Sequence, residues 1–377
     1  PGDKVLVLDN GIFGAGFADF VSMYGGKPEL YTKDYKETLD VDELEAYLKE
    51  HHDYKYATVV HGDTPSGMLN DVFKICPLLK KYGILTVVDS VSASFGEPMD
   101  IDACQIDIMC GGSQKVISAP PGLTFVVISD DAKKAMQERK TPIASFYANL
   151  TTFAHYYEEK WFPYTMPISD IYGLRAAIDN IAADPDILKR HETIAKASRK
   201  AVTEAGLKLY QHSGFSNTVT VFEVPEGTTD KAILDGVKKD YNIMLAGSFG
   251  VLGGKVIRIG HMGNNAQVEK VREVFAALEL ECNYSKEDIF ELYVNTSYFG
   301  NGYYGVREAA DGYFGKTFSE FSEYECAMLA GIPNAPSVYS PNAVNESTAR
   351  RVECVLESMV KNRIISQEQA YNIEMEQ

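Results

Sequence analysis

The chain has 377 residues, of which 45% are hydrophobic and 24% are charged, which is typical of globular proteins and sufficient for two or three domains. Its 53 acidic and 36 basic side chains give a net charge of -17, which disfavours binding to nucleic acid and to anionic membranes. No stretch approaches the roughly 20 consecutive apolar residues that cross a bilayer, and the first residues do not form a secretion signal. We therefore expect a cytoplasmic protein with no nucleic-acid or membrane partner.

Short apolar runs alternate with amphipathic stretches through the first 130 residues. The runs bounded by turn residues are 4–8, 57–61, 84–89, 106–110 and 124–129. Runs of this length predict buried strands, and helices between them predict a parallel α/β sheet. Such sheets carry their chemistry at the carboxyl ends of the strands. His61, Asp89 and the turn at 111–115 are expected at that edge.

Residues 166–278 are predicted to form a smaller α+β unit. A helix is expected at 186–205, and alternating strands are expected at 218–222 and 256–259. A final helix is indicated by apolar residues at helical spacing, namely Val268, Val271, Phe275 and Leu278.

The sequence pattern changes after Leu280, because no further strands are predicted beyond this residue. Capping boxes at 285–288, 322–325 and 366–369 each predict the start of a helix. One buried helical face is predicted from Val352, Val355, Leu356, Met359 and Val360. Residues 279–377 are therefore expected to be entirely helix and loop.

The cysteines show no Cys-x-x-Cys pair and no histidines at metal-ligand spacing. We expect reduced, mostly buried thiols and no metal site. The six are Cys76, Cys104, Cys110, Cys282, Cys326 and Cys354.

Asp89 and Lys115 form the strongest chemical pair in the sequence. Asp89 ends a predicted strand, and Lys115 lies in a later polar turn. Chemistry with pyridoxal 5'-phosphate (PLP) needs a lysine amine for the cofactor aldehyde and a carboxylate that keeps the pyridine nitrogen protonated. Taken alone, a surface lysine and a helix-capping aspartate would explain the two residues equally well.

Four segments, in order and spacing, resemble class V aminotransferases of the alanine-glyoxylate (serine-pyruvate) type. They are HGDTPSG at 61–67, TVVDSVS at 86–92, GSQK with APPG at 112–122, and KVIRIG at 255–260. The likeness covers residues 1 to about 278. It implies PLP-transferase fold type I, with a mainly parallel sheet in a large domain (1–165), a small α+β domain (166–278) and assembly as a homodimer.

The resemblance also assigns roles to individual positions. Lys115 would bind the cofactor aldehyde and move the proton at the substrate Cα, and Asp89 would hold the pyridinium. Phe13 would stack on the cofactor ring, where the family more often has Trp; an ordinary core Phe is the alternative. Arg258 would bind the substrate α-carboxylate through two hydrogen bonds, and an exposed strand arginine is its alternative.

Four further residues are matched by the same resemblance. Thr64 and Ser66 would lie near the ring hydroxyl, Gln114 would lie near the phosphate, and Thr165 would reach the phosphate of a neighbouring subunit. Each could instead cap backbone groups in a loop. His61 is left out of the catalytic set, because a core histidine bonded to backbone explains it as well.

The start of the chain departs from the family pattern. Pro1 stands directly before a predicted strand and no initiator Met precedes it. We therefore expect that an upstream part is missing, including the family's phosphate cup, which is a small-residue turn at a helix N-terminus, and the N-terminal arm of the dimer.

Residues 283–377 resemble a different family, the C-terminal half of the family 51 glycosyltransferase domain of class A penicillin-binding proteins. The matching segments are 284–295, 298–302, 313–316, 329–333 and 336–337. The acid/base glutamates of that family lie in earlier motifs that this chain lacks, and Glu291 is expected to support a helix. The join falls at 276–281, and we expect the fragment to be loosely packed, docked on a neighbour or poorly ordered.

The main hypothesis is a PLP-dependent transaminase that moves an amino group from a small amino acid, of alanine or serine type, to a 2-oxo acid such as glyoxylate or pyruvate. A cysteine desulfurase would need a nucleophilic cysteine, and none occurs between Gly111 and Glu281. A peptidoglycan glycosyltransferase fragment and an inactive hybrid chain are the alternatives.

Overall fold

The computed structural model describes residues 2–267, 269–270, 273–274, 276, 284–343 and 346–376. The chain separates into two compact units, Pro1–Glu279 and Leu280–Gln377. The predicted helical face of Val268, Val271, Phe275 and Leu278, most of the join at 276–281, and Cys282 lie outside the described residues.

The first unit combines a large and a small sheet with helices. Its strands are β1 (Lys4–Asp9), β2 (Lys27–Thr32), β3 (Tyr56–Val60), β4 (Gly62–Asp63), β5 (Met68–Leu69), β6 (Leu85–Asp89), β7 (Ile108–Gly112), β8 (Thr124–Ile128), β9 (Val219–Glu223), β10 (Ala246–Gly247) and β11 (Val256–Gly260). Its helices are α1 (Ile12–Met23), α2 (Val41–Glu50), α3 (Val72–Lys81), α4 (Asp130–Gln137), α5 (Tyr156–Glu159), α6 (Ile168–Ala182), α7 (Ile187–Glu204) and α8 (Asp230–Tyr241).

The large sheet has the order β2-β1-β3-β6-β7-β8 and is parallel up to β7, which confirms the predicted fold class. Strand β8 differs from the expectation because it pairs antiparallel to β7. A parallel return needs a crossover of about a dozen residues or more, usually a helix. The turn that carries Lys115 joins β7 to β8 without a helix, so the chain reverses direction.

Strand β2 was not predicted. It lies at the edge of the sheet, its sequence is KPELYT, and Tyr31 is its one buried residue. An edge strand exposed in this way carries no continuous apolar run, so the hydrophobic pattern does not reveal it.

Helices α2 and α3 cover one face of the large sheet. Their apolar residues Leu44, Leu48, Ile75 and Leu79 are fully buried with Leu6, Leu8, Val59 and Val88 of the strands. Helix α1 packs on the other face, where Val21 meets Val5 and Val7. These contacts fix the strands whose carboxyl ends carry the candidate site.

The small sheet has the antiparallel order β10-β11-β9. Its core contains Val202 of α7 and Val237 of α8, packed against Phe222, Ile257 and Ile259. This second core is the smaller α+β part that the sequence predicts. It sets the position of Arg258, which lies between Ile257 and Ile259 on β11.

The second unit consists of helices and loops, which confirms the prediction of an all-α region. They are α9 (Lys286–Thr296), α10 (Val306–Phe314), α11 (Glu323–Gly331), α12 (Pro336–Tyr339), α13 (Glu346–Lys361) and α14 (Gln367–Glu374). The three predicted capping boxes form at Ser285, Ser322 and Ser366. Val352 and Leu356 of α13 are buried against α11 and α14, as predicted.

Packing in the second unit differs between its helices. Two hydrophobic clusters are buried, one around α11, α13 and α14 and the other around α10 and Phe299, so this half has packed cores, in contrast with the expectation of a loose fragment. Helix α9 buries no residue, and Phe290 and Tyr293 are 65% and 57% exposed. Helix α9 therefore carries exposed apolar surface.

Cysteine burial follows the prediction only in part. Cys76 and Cys104 are buried, whereas Cys326 and Cys354 are exposed. In the part of the chain that the structure describes, no group of three or more His, Cys, Asp or Glu could hold a metal ion. No helix among the described residues is long and apolar enough to span a membrane.

Candidate active site

The carboxyl ends of β3, β6 and β7 meet at one edge of the large sheet. In the strand register Val60 pairs with Asp89, and Asp89 pairs with Cys110. His61 follows β3, and Lys115 follows the end of β7 by three residues. The parallel order therefore brings the predicted pair Asp89 and Lys115 to the same edge.

Asp89 and Lys115 are close enough to influence each other's charge. Burial raises the pKa of Asp89, and the charge of Asp63 raises it further, whereas a backbone N–H and Lys115 lower it. Burial lowers the pKa of Lys115, the positive charge of Arg258 lowers it further, and Asp89 opposes both effects. These effects indicate that the charged ends of Asp89 and Arg258 both lie near the partly buried Lys115 amine.

The side chains of Asp89 and Lys115 make few hydrogen bonds within the protein. One carboxylate oxygen of Asp89 accepts the N–H of Val91 at 2.9 Å. Among the described residues, neither the second oxygen nor the Lys115 amine has a hydrogen-bond or ion-pair partner. Both groups could therefore contact a ligand.

Arg258 lies in the middle of β11, and its side chain is half-buried. Its Nε donates a hydrogen bond of 2.7 Å to the carbonyl of Gly247 on the neighbouring strand β10. Burial lowers the pKa of Arg258, and the negative charge of Asp63 opposes this. The Nε bond fixes the guanidinium plane and leaves its terminal N–H groups to bind an anion.

Asp63 is a site residue that the sequence did not single out. Its carboxylate is buried, with one oxygen accepting the N–H of Phe13 at 2.9 Å and the other accepting the hydroxyl of Ser66 at 2.6 Å. The available signal was the position of Asp63 within the segment HGDTPSG, directly after His61 and Gly62.

Phe13 and Thr64 lie on either side of Asp63 in this arrangement. Phe13 is 42% exposed and its ring centroid lies 5.9 Å from that of Phe249, so Phe13 is not an ordinary core residue. Thr64 is buried. Ser66 is fully buried, and its hydroxyl also accepts the N–H of Met68 at 3.3 Å.

Gln114 and Thr165 are both exposed, in contrast with Thr64 and Ser66. Gln114 is exposed, and its side-chain oxygen folds back over Gly112, where an added Cβ would lie only 2.7 Å from it. Thr165 is exposed on the segment before α6. Within the described residues no contact joins Thr165 to the pocket of Lys115, so its role at a phosphate stays a prediction.

His61 is buried, and its Nδ1 lies 3.1 Å from the hydroxyl of Ser90. Burial lowers the pKa of His61 to about 4, so its ring is neutral at neutral pH. These features agree with its omission from the catalytic set.

The turn after Lys115 packs against the end of β11. The Ser118 hydroxyl accepts the N–H of Asn264 at 3.1 Å. Gly263 has a φ of +54°, and a Cβ there would lie 2.1 Å from the Ser118 hydroxyl and 2.3 Å from the Val116 carbonyl. Only glycine allows this close approach, which connects the segments that carry Lys115 and Arg258.

A groove of the first unit lies elsewhere. It has a volume of 710 Å³ and lies between α1 and α4, above the amino ends of β3, β6 and β7, where Lys55, Leu85 and Asp107 line it. Because the chemistry of such sheets lies at the carboxyl ends, this groove is not the candidate site.

Two families match this chain. The family described as aminotransferase class-V matches residues 1–245, and the family described as transglycosylase matches residues 256–360. The second match begins at β11, although β11 pairs with β9 and β10 inside the first unit. The structure therefore keeps Arg258 with the aminotransferase-like part.

Similar proteins are known as aminotransferases. An uncharacterized aminotransferase of Methanocaldococcus jannaschii is 35% identical over 283 residues, covering 74% of this chain and 73% of that protein. Pyridoxamine–pyruvate transaminase of Mesorhizobium japonicum is 33% identical, covering 71% of this chain and 69% of that protein. The solved alanine–glyoxylate aminotransferase of a Nostoc species has a TM-score of 0.71 at 30% identity and covers 74% of this chain and 75% of its own.

Proposed function

Since the chain belongs to the class V aminotransferase family and is an aminotransferase, we propose that it uses PLP, held between Lys115 and Asp89. We propose a small amino acid of alanine or serine type as the donor and a 2-oxo acid such as glyoxylate or pyruvate as the acceptor. The observation that carries the proposal is the position of Asp89 and Lys115 at one edge of the large sheet, where each affects the pKa of the other and Arg258 lowers that of Lys115.

The residues of this pocket suit the cofactor. When bound, PLP supplies an aldehyde that condenses with amines and a ring that accepts electrons. The pocket offers a partly buried lysine amine, a carboxylate with a free oxygen and an exposed aromatic ring at Phe13. These groups match the aldehyde, the ring nitrogen and the ring face, respectively.

Lys115 has two tasks in this proposal. Its amine would hold the cofactor through the aldehyde and, once free, would move the proton between the substrate Cα and the cofactor. An amine accepts a proton only in its neutral form. Burial and the charge of Arg258 lower the pKa of Lys115 and thereby increase the neutral fraction.

Asp89 keeps the ring nitrogen protonated in this proposal. That task requires an ionised carboxylate, which the N–H of Val91 and the charge of Lys115 stabilise. A positively charged ring nitrogen beside Asp89 would stabilise the carboxylate further, because opposite charges attract strongly in a partly buried site.

Arg258 binds the α-carboxylate of the amino acid. The guanidinium presents parallel N–H groups that match the two oxygens of a carboxylate. The bond from its Nε to the Gly247 carbonyl holds the guanidinium in place on β11. The positive charge also draws an anionic substrate toward Lys115.

The remaining residues support the cofactor. Phe13 covers one face of the ring, Thr64 lies near the ring hydroxyl and Gln114 lies near the phosphate. Ser66 donates its hydroxyl to Asp63, so we propose that it acts on the ring by holding this loop in place. Thr165 contacts the phosphate of a neighbouring subunit.

We also propose a large domain at 1–165, a small domain at 166–278 and a homodimer. The support for a dimer is an exposed aromatic segment before α6, in which Phe146, Tyr147, Tyr157 and Trp161 are 60%, 70%, 68% and 50% exposed. Aromatic residues clustered on a surface are typical of protein interfaces.

The transglycosylase match makes this a hybrid chain. In the second unit Glu291 lies on α9, which buries no residue. Glu291 is exposed and lacks the enclosed surroundings of a catalytic acid. We therefore propose no glycan-polymerising activity for this part.

The test is to incubate the full chain with PLP, reduce it with borohydride and map the added mass by peptide mass spectrometry. We expect a yellow protein with the label on Lys115, a colourless Lys115→Ala variant, and normal labelling in the matched control Lys255→Ala. A wild-type protein that stays colourless, or label placed on another lysine, would refute the proposal.

A further inference from the structure

The buried Asp63 carboxylate accepts hydrogen bonds from two separate segments of the chain. The residue is 2% exposed at the end of β4. One oxygen accepts the N–H of Phe13, and the other accepts both the N–H and the hydroxyl of Ser66, at 2.9, 3.1 and 2.6 Å. A buried carboxylate is costly unless it is paired in this way.

Helix α1 depends on Asp63 for its N-terminal cap. Its own N-cap residue, Gly11, provides no side-chain bond, and the first turn contains no acidic residue. Asp63 supplies the missing acceptor from 50 positions away in the sequence. The negative charge also complements the positive end of the helix dipole.

Gly11 shows how closely Asp63 approaches the helix. A Cβ at position 11 would lie 2.5 Å from the carboxylate carbon of Asp63. Real Cβ atoms do not come this close to another atom, so any larger residue would push the carboxylate aside. The glycine and the aspartate therefore form one unit.

The bond from Asp63 determines where the Phe13 ring lies. Phe13 is the second residue of α1, and the bonded N–H is its own. The bond holds the Phe13 backbone in place. It therefore also fixes the position of the Cα from which the ring extends. The charge of Asp63 also acts on the candidate site, since it raises the pKa of both Asp89 and Arg258.

We propose that Asp63 is a positioning residue for transamination, which caps α1, holds Phe13 against the cofactor ring and balances the charge of Arg258. The inference rests on the proposed function, because it assumes that the cofactor lies between Lys115 and Asp89. Asp63 itself does not touch the reacting atoms. It acts through Phe13, Ser66 and the local charge.

The test compares Asp63→Asn with Asp107→Asn in the full chain. Asp107 is equally buried at 2% and accepts several hydrogen bonds, but it precedes β7 and lies at the opposite end of the strands. A single amide oxygen cannot serve both Phe13 and Ser66. We expect the PLP dissociation constant to rise about tenfold in Asp63→Asn and to stay unchanged in Asp107→Asn.

A double-mutant cycle separates positioning from a general loss of structure. If Asp63 acts through Phe13, then Asp63→Asn in a Phe13→Leu background should weaken PLP binding by less than about threefold. The visible circular dichroism of the bound cofactor, divided by its absorbance, should fall in Asp63→Asn, because the ring is no longer held in one orientation. Thermal melting of the apo-proteins reports folding independently of the cofactor.

Gly11→Ala is the second variant, in case Asp63→Asn does not fold. It displaces the carboxylate without changing its charge, and we expect weaker PLP binding in the same direction. Asp63→Asn binding like Asp107→Asn, or effects of Asp63→Asn and Phe13→Leu that simply add, would overturn the inference alone. A wild-type chain that binds no PLP would refute the proposed function and this inference with it.

Discussion

Glu97 is a buried acid that lies outside the proposed cofactor contacts. It is 2% exposed, and its carboxylate accepts hydrogen bonds from Ser216 at 3.0 Å and from the Asn217 amide at 2.9 Å. Burial raises its pKa from the ordinary 4.5 to about 7, although the bonds to Asn217 and Ser216 and the charge of Arg199 lower it. A group with this pKa gains or loses its proton within the physiological range.

The raised pKa of Glu97 predicts how stability depends on pH. Between 4.5 and about 7 the folded chain keeps the proton that the unfolded chain has released, so the free energy of unfolding falls as the pH rises. The full difference corresponds to about 3 kcal/mol. Denaturant titrations of Glu97→Gln across this range should therefore show a flatter profile than the wild-type protein.

Exposed Glu226→Gln is the control for this prediction. It should reproduce the wild-type profile, because its carboxylate is solvated in both states. A Glu97→Gln profile that runs parallel to that of the wild type across the whole range would contradict the prediction.

Residues differ in how far the sequence alone could identify them. Asp89 and Lys115 could be proposed from motif and strand position, because one cofactor requires both residue types at the carboxyl edge of the sheet. Asp63 and Glu97 could not, since their partners lie 50 and 120 positions away in the sequence. Only the folded chain reveals which distant groups neutralise a buried carboxylate.

At the scale of elements, the turn after Lys115 and the end of β11 form one packed joint. We predict that Gly263→Ala costs about 3 kcal/mol of stability, because a Cβ meets Ser118 and Val116 and the φ of +54° is unfavourable. Gly254→Ala, with a φ of +74° and no atom within 4 Å, should cost only about 1 kcal/mol.

Urea denaturation of the two glycine variants measures this difference. Both substitutions carry the backbone strain, so the excess cost at position 263 reports the steric contact alone. If Gly263→Ala and Gly254→Ala lowered the free energy of unfolding equally, the prediction would be wrong, because the contact with Ser118 and Val116 would then add no cost.

Elements with strong local signals were predictable from the sequence, and elements defined by their neighbours were not. The capping boxes at Ser285, Ser322 and Ser366 are local, and all three form. The edge position of β2 and the antiparallel direction of β8 depend on the complete sheet. Periodicity reports which side of an element is buried and does not report which strand it joins.

For the whole molecule we predict a dimer formed through the aromatic segment that contains Tyr147, Tyr157 and Trp161. Tyr157→Glu should convert it to a monomer in sedimentation velocity, because a charge in an apolar interface is not compensated. Trp161 is the one tryptophan of the sequence, so its emission should shift to longer wavelength as the interface is lost.

Tyr371→Glu provides the matched control for the dimer. Tyr371 is 61% exposed, close to the 68% of Tyr157, and belongs to the second unit. We expect its sedimentation and emission to match those of the wild type. A wild-type protein that sediments as a monomer at all concentrations would rule out the dimer.

The close contact between Gly263 and Ser118 has a consequence for how this sequence can vary. The segments that carry Lys115 and Arg258 share this contact, and a Cβ at position 263 would lie 2.1 Å from the Ser118 hydroxyl and 2.3 Å from the Val116 carbonyl. Because the Val116 carbonyl belongs to the backbone, no smaller side chain at 116–118 would make room for a Cβ, so related chains with this packing should keep glycine at position 263 whatever residues they carry at 116–118.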